Sequence, residues 1–251
     1  MRPAVLLLLL LPLLVLPPLA KPDTPRVAII MDDVGYNLEL GRRALDLPGE
    51  VTIAVIPLTP HGQRLAGKSA ERDLEVIIHL PMTGGFTEPL LDPGGIHDEM
   101  SPTEIAAVIR DAFERIPQAR GLNNHMGSRF TANPEAMHWV MHELAAQDAF
   151  FVDSLTTPES VGRQMAHHHG LAATARDVFL DNERGKLDIN EQFNKLIGIA
   201  RRRGYAVAIG HPYPETLDYL EEALPLLEES GIELVPVSEL LSSPPSLPPK
   251  P

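Results

Sequence analysis

One stretch near the start of the chain, residues 27–35, constrains the fold more than any other. It reads Val-Ala-Ile-Ile-Met-Asp-Asp-Val-Gly, an apolar run of strand length followed at once by two carboxylates and a glycine. Because the run is apolar on both faces, it predicts a strand that is covered on both sides, as in parallel sheets packed between helices. Asp32 and Asp33 then stand at the carboxyl end of a buried strand, where α/β folds place their chemistry. The alternative is that these acids only cap the following helix, which Asn37 is equally able to start.

The rest of the chain repeats this alternation of apolar runs with amphipathic, helix-like segments. Further strands are predicted at 51–56, 75–80, 120–125, 149–153, 177–181, 205–210 and 232–237. Helix starts are predicted at Ser101, Asn133, Thr157 and Pro214, and a glycine stop at Gly204. Repeated strand–helix units predict parallel strands joined by right-handed crossovers, and both an open doubly wound sheet and an incomplete barrel satisfy this pattern.

Acids, amides and imidazoles recur immediately after the apolar runs. They are Asp32, Asp33, His79, Asn123, Asn124, His125, Asp153, Asp181 and His211. Parallel strands bring their carboxyl ends to one rim, so we expect these side chains to converge there. Carboxylate and imidazole without cysteine form the ligand set of a hydrolytic Zn²⁺ or a similar divalent ion, which needs about three protein ligands. The pattern therefore predicts a metal-dependent hydrolytic site.

Two other histidine motifs do not match this pattern. His138 and His142 are four residues apart on a predicted helix, but no glutamate follows the first histidine as the metalloprotease motif requires. The run 167–169 consists of three histidines at a predicted helix end before Gly170, where imidazoles suit the helix dipole. We interpret both as helix-surface residues, with adventitious metal binding at 167–169 as the alternative.

Composition and the two ends of the chain limit partners and location. The formal net charge of the 251 residues is −13, which argues against nucleic acid as a partner. Residues 1–20 combine Arg2 with a short, proline-interrupted apolar run, which predicts a secretory signal peptide, or else an uncleaved N-terminal anchor. No firm membrane span is expected beyond it. Without cysteine the chain forms no disulfide, and residues 241–251 are predicted to be a disordered Pro-rich tail. A periplasmic or secreted location is expected.

The strand-end residues resemble a known family. Asp32-Asp33-Val34-Gly35, His79-Leu80-Pro81-Met82, the segment 123–128 (Asn-Asn-His-Met-Gly-Ser), Asp153-Ser154 and Gly210-His211-Pro212 are similar to the motifs of the divergent polysaccharide deacetylases. That family is a distant branch of the metal-dependent polysaccharide deacetylases. The resemblance covers about residues 26–240 and implies a distorted (β/α)7 barrel.

The resemblance also implies roles for individual residues. Asp32 is expected to be the general base, Asp33 and His79 metal ligands, and His211 the acid near the leaving group. The broader family carries a second ligand histidine four residues after the first, where this chain has Thr83, and we interpret His125 as its replacement.

Three further strand-end residues, Asn124, Asp153 and Asp181, are expected to contact substrate or to support the ligands. The implied cofactor is a divalent metal, with Zn²⁺ favoured by this ligand set. The implied reaction is hydrolysis of an acetyl group on a carbohydrate polymer, and peptidoglycan is the polymer that a periplasmic location favours. The alternative is a non-catalytic glycan-binding or envelope-regulatory protein on the same fold.

Overall fold

Strands and helices alternate along the chain in the computed structural model, which describes residues 24–85 and 91–242. The strands are β1 (Arg26–Val34), β2 (Thr52–Val55), β3 (Val76–Met82), β4 (Ala119–Met126), β5 (Phe150–Asp153), β6 (Ala173–Ala175), β7 (Val178–Phe179), β8 (Tyr205–Gly210) and β9 (Glu233–Leu234). The α-helices are α1 (Leu38–Leu45), α2 (Gly62–Ala70), α3 (Pro102–Arg115), α4 (Pro134–Ala146), α5 (Gly162–His168), α6 (Lys186–Arg203), α7 (Pro214–Ala223) and α8 (Leu226–Glu229). A 3₁₀-helix follows at Val237–Leu240.

The strands form one curled, parallel sheet in the order β6-β5-β4-β3-β2-β1-β8-β7, with β9 paired to β1. Among the described strands β6 pairs with β5 and β7 with β8, so 173–179 is one strand position split between the two sheet edges. The Arg176 N–H donates to the carbonyl of Asp153 at 3.0 Å, and the Asp177 N–H donates to that of Val207 at 2.8 Å. The chain itself therefore bridges the seam, that is, the gap between the two edges of the sheet. This arrangement confirms the distorted (β/α)7 barrel and excludes the open doubly wound sheet.

The two faces of the sheet have separate cores. Along β1, Val27, Ile29 and Met31 pack outward against the helices, whereas Ala28 and Ile30 join the smaller cluster inside the barrel. All five side chains are fully buried, which confirms that this strand is covered on both sides. Because side chains alternate along a strand, the inward positions of each strand continue into the rim at its carboxyl end.

Capping residues define most helix starts as the sequence predicts. The Asn37 side chain accepts hydrogen bonds from the amides of Glu39 and Leu40, so the helix cap belongs to it and not to the two acids. Ser101 forms the predicted capping box. Asn133 caps α4, and Gly204 ends α6 with a left-handed φ of 91°.

Two predictions for the region between β5 and β8 are wrong, and one strand there was not predicted. Thr157 does not start a helix, because its hydroxyl bonds the Glu159 carboxylate locally and α5 begins only at Gly162. The strand predicted at 177–181 shortens to β7, and β6 has no sequence signal because three residues are too few to show alternation. The split strand position accounts for both strand differences.

The ends of the chain fall largely outside the described residues, including the whole predicted signal segment 1–20 and the tail from 243 onward. Ser242, the second residue of the predicted tail, forms an antiparallel bridge with Ala173 on the free edge of β6. None of the helices within 24–85 and 91–242 has the length and hydrophobicity needed to cross a membrane.

Candidate active site

The predicted residues meet in a cavity of about 370 Å³ at the carboxyl ends of the strands. Its lining includes Asp32, His79, His125 and His211. Three of them continue an inward row of their strand, because Ile30, Ile77 and Ile209, two residues before Asp32, His79 and His211, belong to the inner core cluster. The alternation of the strands therefore explains why these residues converge.

Asp33 faces the same site as Asp32, although neighbouring residues on a regular strand point to opposite faces. The pairing of β1 with β2 shifts register between Met31 and Val34, and Asp33 adopts a left-handed φ of 55°. Such a conformation costs of order 1–3 kcal/mol in a residue other than glycine and is concentrated at functional sites. The irregularity at the end of β1 thus turns two consecutive carboxylates toward one site.

Three candidate ligand atoms form a compact triangle. Asp33 Oδ1 lies 2.9 Å from His125 Nδ1 and 3.2 Å from His79 Nε2, and the two nitrogens are 3.0 Å apart. Within the described chain, this trio is the only group of three histidine or acidic residues whose ligand atoms already all lie within 4.8 Å of one another. Thr83 bonds the carbonyl of Ile96 instead, so the structure places His125, and not residue 83, beside His79.

The hydrogen-bond network assigns the protons of both imidazoles. Asn123 Nδ2 donates to Asp32 Oδ1 at 2.9 Å, so Asn123 Oδ1 is the acceptor for the Nδ1–H of His79 at 2.8 Å. Nε2 of His125 lies 3.2 Å from the Asp92 carboxylate, a contact that favours the tautomer with its proton on Nε2. The neutral form of each ring therefore directs a lone pair at the triangle.

The triangle lacks a positive charge of its own when both rings are neutral. Asp33 Oδ1 is buried and has no hydrogen-bond partner among the described residues. Two imidazole lone pairs and a carboxylate oxygen at these distances repel one another unless a cation lies between them. The donor set is that of Zn²⁺ in hydrolytic sites, so Asp33, His79 and His125 fit the implied divalent ion.

In the metal-free site, burial and the close approach of acids and imidazoles shift the pKa values of Asp32, Asp33 and His79. Burial raises the pKa of Asp32, with His79 and His211 opposing that rise. Burial would also raise the pKa of Asp33, but the adjacent His125 and His79 outweigh it and lower that pKa well below its usual range. For His79, burial lowers the pKa, yet Asp32 and Asp33 raise it to about 9. Without metal, a proton on His79 supplies the missing positive charge.

His211 lies across the site from the two imidazoles, with Nε2 3.9 Å from Asp33 Oδ2. Asp181 accepts its Nδ1–H at 2.9 Å and its backbone N–H at 2.6 Å, which fixes the ring and leaves Nε2 toward the cavity. Burial lowers the pKa of His211, but Asp181 raises it above the ordinary value. The ring stacks between Phe179 and Tyr213 at centroid distances of 5.2 and 5.3 Å. Asp181 therefore supports the proposed acid.

Two of the predicted partners make their contacts elsewhere. Asp153 follows the outward row of Phe151, and its carboxylate bonds Ser160 and the amide of Arg163, which anchors the start of α5. Asn124 borders the cavity, but its amide group bonds the backbone of Ser154 and of Met126. Both side chains thus hold the loops after β4 and β5, and their contact with substrate or support of the ligands stays a prediction.

Four residues of the site received no individual role from the sequence, although Asn123 was expected at the rim. They are Asn123, Ser154, Asp92 and Arg176. The first two follow from alternation, because Asn123 precedes His125 by two residues and Ser154 follows the inward Val152 by two. Asp92 and Arg176 lie in non-periodic segments, so only the tertiary structure reveals them. Arg176 donates to the carbonyls of Ser154 and Leu155 at 2.7 Å.

The structure is a distorted (β/α)7 barrel whose rim carries a candidate Asp-His-His metal centre. The sequence profile described as divergent polysaccharide deacetylase matches residues 29–241, so the chain belongs to that family. The Escherichia coli K12 protein YibQ is 39% identical over 228 residues, which are 90% of this chain and 71% of YibQ. The predicted family is confirmed.

Solved structures share the fold. The Agrobacterium tumefaciens C58 protein ATU2773 superposes with a TM-score of 0.79 at 25% identity, covering 89% of this chain and 92% of that one. The Bacillus subtilis peptidoglycan deacetylase PdaC gives 0.53 at 17% identity over 88% and 92% of the two chains. BA3943 of Bacillus anthracis, a CE4 family pseudoenzyme, gives 0.54 at 15% identity over 88% and 67%. The barrel fold is thus shared by a protein named as a deacetylase and by one named as a pseudoenzyme.

Proposed function

We propose that this protein is a metal-dependent hydrolase that removes acetyl groups from a carbohydrate polymer. The observation that carries the proposal is the triangle of Asp33, His79 and His125, in which both imidazoles direct lone pairs at a buried, unpartnered carboxylate oxygen. A proton acceptor and a proton donor border it, namely Asp32 and His211. Membership of the divergent polysaccharide deacetylases supports the reaction class.

The residues divide the chemistry between them. Asp33, His79 and His125 would hold a divalent ion, which supplies Lewis-acid activation of water and of the acetyl carbonyl. Asp32, held by Asn123, accepts the proton of the attacking water. His211, oriented by Asp181, presents Nε2 to protonate the departing nitrogen or oxygen. Each proton thus moves at an atom that faces the cavity.

The proposal also includes a cellular location and a substrate. Export to the periplasm or the outside is supported by the signal-like composition of residues 1–20. An acetylated cell-wall glycan such as peptidoglycan is supported by that location and by the fold shared with PdaC. The net charge of −13 favours a substrate without dense negative charge.

The decisive test pairs metal content with acetate release. Mass spectrometry on untagged protein should find a metal equivalent in wild type that is lost in both His79→Ala and His125→Ala. Asp32→Asn should retain this metal but release acetate from acetylated chitooligosaccharides or peptidoglycan about 10²–10⁴-fold more slowly. Asn182→Ala, a change on the exposed side of the same cavity, serves as the matched control.

The alternative is a non-catalytic glycan-binding protein on the same fold, and it predicts a different result in this test. Metal content that is indifferent to both histidine changes, together with glycan binding but no acetate release, would establish it. Acetate release unaffected by Asp32→Asn would instead remove Asp32 from the role of proton acceptor.

A further inference from the structure

A second cluster of histidines lies on the outer helices, on elements separate from the active site. His138 and His142 belong to α4, and His168 and His169 stand at the carboxyl end of α5. The two helices pack against each other. None of these four histidines borders the cavity that is lined by Asp32, His79 and His125. The proposed reaction therefore assigns no role to this cluster.

The rings are in direct contact across the two helices. His169 Nε2 lies 2.9 Å from His138 Nδ1, and the ring centroids are 4.7 Å apart. His142, one turn along α4, has its ring 6.5 Å from each of these and nearly parallel to that of His138. His142 is exposed, so its side chain can rotate toward the contacting pair.

The surroundings of the cluster favour the neutral form of His169. No ion pair in 24–85 or 91–242 joins any of its histidines to a carboxylate. Burial lowers the pKa of His169, and the neighbouring His138, His168 and His142 lower it further. Neutral imidazoles offer lone pairs, and a nitrogen-only donor set suits Zn²⁺, Cu²⁺ and Ni²⁺ rather than Mg²⁺ or Ca²⁺.

We propose that His138, His142 and His169 form a second, solvent-accessible site for a late transition-metal ion such as Zn²⁺, Ni²⁺ or Cu²⁺. His138 and His169 supply the two ligands that are already in contact, and His142 supplies the third from the next turn of α4. The ion ties the end of α5 to α4. This site does not depend on the proposed function of the cavity.

The only tryptophan of the chain is a built-in reporter for this site. Trp139 lies between His138 and His142 in sequence, and its ring contacts theirs at centroid distances of 4.8 and 6.0 Å. A paramagnetic ion bound to these imidazoles quenches indole fluorescence at such short range. Cu²⁺ is the sharpest probe, since imidazole sites bind it more tightly than the other divalent first-row metals.

The experiment titrates CuCl₂ into the full chain while Trp139 fluorescence is recorded at a pH above neutral. Quenching should be complete near one added equivalent in the double variant His79→Ala/His125→Ala, whose active-site ligands are removed. Excess Zn²⁺ should restore the fluorescence by competition. His138→Gln and His169→Gln should lose the stoichiometric quenching, and the exposed His142→Gln should weaken it.

His97→Gln, a change of an exposed histidine elsewhere, is the matched control and should quench like the parent. The proposal is overturned if stoichiometric quenching survives both His138→Gln and His169→Gln. It is equally overturned if the parent requires a large excess of copper, which indicates scattered adventitious binding. Because His142 is exposed, its variant reports on ligation even if a change at the half-buried His138 perturbs folding.

Discussion

Asn123 connects the proposed metal centre to the proposed base. Its carboxamide accepts from the Nδ1–H of His79 and donates to Asp32 at 2.9 Å and to Ser154 at 3.2 Å. The side chain is completely buried, so no solvent can replace these bonds. One amide thereby sets the tautomer of a candidate ligand and the position of a candidate proton acceptor.

We predict that Asn123→Ala lowers zinc affinity by roughly 10–100-fold, as is usual when a group that orients a metal-binding histidine is lost. The tautomer of His79 is then no longer specified, and Asp32 loses a donor. Competition titration against a chelator measures the affinity. Asn182→Ala, another asparagine of the cavity lining, should leave it unchanged; equal affinity in all three proteins would contradict the assigned network.

The raised pKa of His79 makes metal affinity depend on pH. In the metal-free protein Asp32 and Asp33 hold that pKa at about 9, so a bound ion must displace a proton at neutral pH. Apparent zinc affinity should therefore rise with pH until about 9 and level off above that value. Chelator competition at a series of pH values measures this, and a flat profile between pH 7 and 9 would contradict it.

At the scale of single elements, a local contact sets the start of α4, whereas a tertiary contact sets the start of α5. Asn133 caps α4 through the amides of Glu135 and Ala136, a signal that is complete in the local sequence. The start of α5 is instead set by Asp153 from β5, which bonds Ser160 and the amide of Arg163. The first helix start was predicted correctly and the second was not, because only the first has a local cause.

Removing the cap of α4 has a defined energetic consequence. Asn133→Ala should lower the free energy of unfolding by about 1 kcal/mol, because two amides of the first turn lose their acceptor. Urea denaturation with fluorescence detection measures this loss. Asn133→Ser retains an acceptor and should recover most of the stability, so an equal loss in both variants would contradict the capping role.

At the scale of the whole molecule, the candidate metal centre joins three strands that are distant in sequence. Asp33 ends β1, His79 lies within β3 and His125 within β4. Metal bound at this point should stabilise the folded barrel by mass action, since the unfolded chain does not assemble the three ligands. The proposed catalysis and the stability of the barrel are therefore linked through the same three residues.

Chelation should consequently destabilise the protein. Removing zinc present at 100 times its dissociation constant should lower the free energy of unfolding by about 2.7 kcal/mol. Thermal unfolding with and without a chelator measures the shift. His79→Ala should lack the part of the shift that this centre contributes, and a shift of the same size in wild type and variant would contradict the assigned ligands.

Much of this architecture could be predicted from the chain alone. Buried apolar runs, capping residues and polar strand ends identified the parallel β/α class and Asp32, Asp33, His79, His125 and His211 as the rim. These signals are local, because alternation and capping act over a few residues. Closer attention to alternation would also have selected Asn123 and Ser154 in place of Asn124 and Asp153.

The remaining features depend on contacts between residues far apart in the chain. Periodicity alone does not choose between an open sheet and a barrel, and the split position of β6 and β7 decides it. Asp92 reaches His125 from a loop without periodicity, and His169 meets His138 only because α5 packs on α4. Sequence determined which residues carry chemistry, since that is a property of side-chain type and strand position. Tertiary structure decided which of them meet, since packing alone brings distant segments within bonding distance.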